Sequence, residues 1–93
     1  MEEKFVNAWA AAREQAAALG IRMRPVARED AMKTARRCLT GRRLSDGFGA
    51  LQAAGRLELS LEALAVDKRF TGLFSDEEAN EALARLLEAN YGF

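Results

Sequence analysis

Histidine is absent from this 93-residue chain, and cysteine, proline, tryptophan and tyrosine each occur once. Without imidazole there is no Ser-His or Cys-His nucleophilic pair, no side chain whose ordinary pKa suits acid–base work at neutral pH, and none of the commonest zinc sites. A lone thiol, Cys38, can neither close an intramolecular disulfide nor build a thiolate cluster. No apolar run reaches the roughly 18 residues of a membrane span. The start Met1-Glu2-Glu3-Lys4 is acidic where a secretory leader is basic, so the expected setting is the cytoplasm, with no membrane partner. These absences predict a non-enzymatic chain with no metal and no cofactor.

What remains is rich in Ala, Leu, Arg and Glu and poor in Val, Ile and Thr. Those are helix preferences, not strand preferences. The length suits one domain with one core, residues 1–93, and the expected class is all-α, a compact bundle of about five short helices.

Periodicity places the helices. Phe5, Trp9, Ala12, Ala16 and Leu19 recur at spacings of four, three, four and three, predicting a helix over residues 2–19. Gly20 stops it, with Ile21 folding back onto the last turn. Pro25 keeps residues 21–27 extended. A second helix over residues 28–40 carries Ala31, Met32, Ala35, Cys38 and Leu39 on one face and turns Lys33, Arg36 and Arg37 away from it. Cys38 on that face reads as a small buried hydrophobe.

Ser45 is expected to cap a short third helix ending near Ala54, weakened by Gly47 and Gly49. Residues 57–62 alternate like a strand but continue at helical spacing, so Ser60 is expected to cap a fourth helix reaching Phe70. The last helix, residues 76 to 88 or 89, has the strongest start. Ser75 and Glu78 make a capping box, Phe74 staples onto Ala79, and Ala79, Ala82, Leu83, Leu86 and Leu87 form the apolar face. Asp76, Glu77 and Glu78 are the nearest the chain comes to paired catalytic carboxylates. First-turn acids, however, are stabilised by the helix dipole without any chemistry.

Charge supplies the functional signal. Residues 22–43 hold eight basic residues and two acids, a net +6 that the six basic residues and twelve acids elsewhere cancel. A localised basic stretch attracts phosphates or acidic partners even on a neutral molecule. Arg28, Lys33, Arg36, Arg37, Arg42, Arg43 and Ser45 are the candidate binding residues. Gly41 to Gly49 also suggests a phosphate site built from Arg42, Arg43 and the amides after Ser45. It lacks the Gly-Lys-Ser/Thr ending of a nucleotide-binding P-loop and follows a helix instead of a strand.

Neutral total charge favours a partner that is another protein, or a second copy of the chain, over nucleic acid. Nucleic acid gripped by residues 22–43 is the alternative. A helix-turn-helix is disfavoured because Leu61-Glu62-Ala63-Leu64-Ala65, where a recognition helix would lie, is apolar and acidic and suits a core. Among the aromatics, any left exposed would serve as interface anchors.

Overall fold

The computed structural model describes residues 2–23, 26–41, 44–70 and 72–91. Among these residues the chain forms five α-helices and no strand: α1 (Glu2–Ala18), α2 (Ala31–Thr40), α3 (Phe48–Ala54), α4 (Leu61–Ala65) and α5 (Asp76–Glu88). Single 3-10 turns lie at Arg28–Asp30, Leu57–Leu59 and Lys68–Phe70. The fold is the all-α bundle that composition and periodicity predict. Its Cα radius of gyration is 12.0 Å, matching the roughly 12 Å of a compact chain of this length.

α1 buries Phe5, Val6, Trp9, Ala12 and Ala16. Leu19, expected to extend that stripe, is 45% exposed, because the helix ends one residue earlier in a glycine cap. Gly20 takes φ 84°, its amide donates to the Ala17 carbonyl, and the Ile21 amide donates to the Ala16 carbonyl at 2.9 Å. These are the two bonds of a Schellman closure, which satisfies carbonyls the helix leaves free. α3 ends the same way at Gly55, and α5 at Asn90, where φ is 60°. There the Arg56 amide returns to Leu51 at 2.9 Å and the Tyr91 amide to Leu86 at 3.0 Å.

The other departures from expectation have local causes. α3 starts after Gly47, in the left-handed region, with no side-chain cap; Ser45 is drawn inward by Glu62 and leaves only its carbonyl to the Phe48 amide. Ser60 does cap α4, accepting from the Ala63 amide at 3.1 Å. That helix nevertheless ends at Ala65 instead of reaching Phe70. The Asp67 carboxylate takes the Arg69 amide at 2.8 Å, starting a separate turn that delivers Phe70 to the core.

On α5 the capping box is complete. Ser75 Oγ accepts from the Glu78 amide at 3.2 Å, and Glu78 Oε1 from the Ser75 amide at 2.8 Å. The buried face is Glu78, Ala82, Arg85 and Leu86, while Leu83 and Leu87 are 37% and 59% exposed. The helix is thus rotated by somewhat less than one residue's step from the most apolar orientation, and the reason lies in Arg85.

The core gathers around Phe5, which is fully buried. The Phe70 and Phe74 rings meet it edge-on, with centroids 5.3 and 5.0 Å away, and Trp9 stacks at 6.0 Å in a tilted geometry. α4 and α2 both pack on α5, and α1 lies across α4, α2 and the Leu57–Leu59 turn. α4 contributes Leu61, Leu64 and Ala65 to the interior, so it is a core element, as its apolar sequence predicts.

Candidate functional site

α2 turns Ala31, Ala35 and Leu39 inward at spacings of four. Helical geometry therefore sends Lys33, Arg36 and Arg37 outward, and all three are exposed. Arg28, on the preceding turn, is exposed too; its Nη2 donates to Asn7 Oδ1 at 2.6 Å. Arg36 Nη2 donates to the Leu73 carbonyl at 3.2 Å, just ahead of α5.

No carboxylate among the described residues ion-pairs with Arg28, Lys33, Arg36 or Arg37; the ion pairs present are Arg56 with Glu58, Arg69 with Asp67, and Arg85 with Glu62 and Glu81. Lys33 and Arg37 stand four residues apart, where like charges oppose the helix by a few tenths of a kcal/mol. By spacing Lys33 and Arg37 share the outward face of α2, while Arg28 reaches α1 and Arg36 reaches the segment ahead of α5. Arg42 and Arg43 lie outside the described residues.

Ser45 is separate from that face. It is buried, its amide donates to Glu62 Oε2 at 3.0 Å, and its hydroxyl donates to Glu62 Oε1. Here the protein supplies its own anion to Ser45, whose amide and hydroxyl both go to the Glu62 carboxylate; Arg42 and Arg43 of the suggested phosphate site lie outside the described residues.

Glu62 in turn anchors a polar network that sequence reasoning did not find. Arg85, 5% exposed, donates through Nη1 to Glu62 Oε2 at 3.1 Å and through Nε to Glu81 Oε1 at 2.9 Å. Its Nη2 reaches the carbonyls of Cys38 at 3.1 Å and Gly41 at 2.9 Å, and Nη1 also touches Cys38 Sγ at 3.9 Å. Every N–H of the guanidinium can thus be matched to an acceptor. The two carbonyls belong to the end of α2, where a cation is also favoured by the helix dipole. Burial pulls the Arg85 pKa down, but the bonds to Glu81 and Glu62 outweigh it and hold the group above the ordinary arginine value.

Cys38 is half-buried beside this network. Burial pushes its thiol pKa up, and the Glu62 carboxylate adds to that, against a smaller lowering from Arg85. The thiol is therefore largely protonated at neutral pH and a poor nucleophile. Alkylation by iodoacetamide is expected to be slow at pH 8 and to keep accelerating at pH values where a free cysteine has levelled off. A plateau at or below the ordinary cysteine pKa would contradict this.

The described aromatics Phe5, Trp9, Phe48, Phe70 and Phe74 are buried and Tyr91 is half-buried, so none of them is an exposed anchor; Phe93 lies outside the described residues. No helix among the described residues is long and apolar enough to cross a membrane. The chain matches no protein-family model, no curated protein and no solved structure. What fold and site together define is a small helical bundle with exposed basic side chains on α2 and a buried arginine–carboxylate network at the end of that helix.

Proposed function

We propose that this protein acts by binding, without catalysis, and that the outer face of α2 docks on an acidic surface of another protein. The observation that carries this reading is the exposed pair Lys33 and Arg37, four residues apart with no carboxylate partner among the described residues, beside Arg28 and Arg36 whose bonds to described residues go to neutral oxygens. A solvated ornamental face would gain by interspersing acids at those spacings; an interface that meets an acidic surface would not. Catalysis has less support: of the three first-turn acids, Glu78 closes the capping box. A second copy of the chain is the other protein partner to consider, since Asp76, Glu77 and Glu88 of α5 are exposed.

The test is affinity capture from native lysate by the wild type and by the triple variant Lys33→Gln, Arg36→Gln, Arg37→Gln, with and without nuclease. The variant is expected to lose its partner about tenfold or more, at a few tenths to 1 kcal/mol for each exposed pair, with a steep salt dependence. Its thermal unfolding should barely change, because these side chains make so few internal contacts. Capture that disappears with nuclease would assign the face to phosphates, and capture unaffected by the triple variant would exclude it as the binding surface. Sedimentation at two protein concentrations separates a second copy from a foreign partner.

A further inference from the structure

A cavity of about 190 Å³ lies between α1, the segment around Met23 and Val26, α2, the turn before α3 and the start of α4. We propose that it binds a small neutral apolar molecule, a single ring or compact chain of about eight heavy atoms. That size is scaled from benzene, which fits an apolar cavity of about 150 Å³.

The wall sets the apolar character. Trp9 and Leu61 are buried and Met23 and Val26 half-buried, and all four line the cavity. An apolar group gains by displacing water from such a surface. Ser45, in the same lining, has its amide and hydroxyl committed to Glu62. Thr34 and Cys38, one turn apart, form the α2 side. Burial pushes the Cys38 thiol pKa up, so this side carries no charge at neutral pH.

Neutrality follows from the two charged residues of the described lining, Arg13 and Asp46, which are opposite in sign. Together they give no net charge to select an ion of either kind. The Arg13 guanidinium lies 5.0 Å from the Trp9 ring centroid. Its Nη1, which has no acceptor, is closed to a molecule the size of water, so that atom offers a ligand no bond. Asp46 is exposed, where water weakens its attraction for a cation. A charged ligand would therefore give up hydration on entering without adequate repayment.

The chain's only tryptophan and only cysteine both line the cavity, so binding is read at two points. Benzyl alcohol and its cationic and anionic analogues, benzylamine and benzoate, are titrated into the full chain at pH 7. Trp9 emission, the rate of Cys38 alkylation by iodoacetamide and the thermal midpoint are followed together. Benzyl alcohol is expected to give a saturable emission change, protect Cys38 over the same concentration range and raise the midpoint. Its dissociation constant should be on the order of 1 mM. Both charged analogues should bind about tenfold or more weakly. Val26→Phe, which adds volume to the wall, should abolish the response to the alcohol. The charge series needs only the wild type, so it is decisive even where that variant fails to fold.

No saturable response to benzyl alcohol at about 10 mM, ten times that expectation, overturns the site. An emission change without protection of Cys38, or a folded Val26→Phe variant that binds unchanged, places the ligand outside the cavity and also overturns it. A charged analogue that binds as tightly as the alcohol overturns the neutral assignment. None of these outcomes depends on the outer face of α2, so this site and the protein-binding reading stand or fall separately.

Discussion

Arg85→Ala is expected to destabilise the fold by about 3 to 5 kcal/mol, the cost of breaking a buried ion pair by removing one partner. The Glu62 carboxylate would remain at 0% exposure with Ser45 as its remaining hydrogen-bond partner among the described residues, and the Cys38 and Gly41 carbonyls at the end of α2 would lose the Arg85 donor. Domains of this size have about 5 to 15 kcal/mol in total, so the loss would move a denaturant midpoint far or unfold the chain outright. The double variant Glu62→Leu, Arg85→Met removes both charges at similar volume, and it should recover the part of the loss that comes from leaving Glu62 buried and unpaired, but not the part that comes from the Cys38 and Gly41 carbonyls and Ser45 left without partners. Urea unfolding of wild type, single and double variants measures both. A single-variant effect below about 1 kcal/mol would show that the network contributes no more than a surface pair.

That network also explains where sequence reasoning succeeded and where it stopped. Signals contained within one turn of chain were legible. Gly20 marked the end of α1, Ser60 the start of α4, and Ser75 with Glu78 the start of α5, since each depends on residues at most five positions apart. The outward display of Lys33, Arg36 and Arg37 was legible too, because it follows from the Ala31, Ala35, Leu39 stripe.

The rotation of α5 was not. Leu83 and Leu87 make the more apolar face, and choosing Arg85 for burial makes sense only once Glu62, 23 positions earlier, is known to wait inside. Ser45 was misassigned for the same reason. Its local surroundings suit a helix cap, and the competing partner is 17 positions away. Nor could periodicity reveal the cavity beside Trp9, whose walls come from α1, the segment after it, α2, the turn before α3, and α4.

Phe5→Ala is expected to cost about 3 to 5 kcal/mol, the range for truncating a buried phenylalanine to alanine. The side chain is at 0% exposure, and it joins α1 to the Lys68–Phe70 turn and to the start of α5. Phe70 arrives on the Lys68–Phe70 turn, Phe74 at the threshold of α5, and Trp9 one turn along α1, all within 5.0 to 6.0 Å of the Phe5 ring. Aromatic pairs in such edge-on geometry add about 0.5 to 1.5 kcal/mol beyond the area they bury, so the ring's loss is felt by each neighbour. Phe5→Leu separates the two contributions: it keeps most of the volume and should cost distinctly less, with the residue of the effect reporting the edge contacts. Because Trp9 stacks on Phe5, the alanine variant should also shift Trp9 emission in the folded state, which the Arg85 variants should not do. Thermal and urea unfolding followed by that emission read both quantities in one experiment, and a Phe5→Ala variant within about 1 kcal/mol of wild type would place the centre of the core elsewhere.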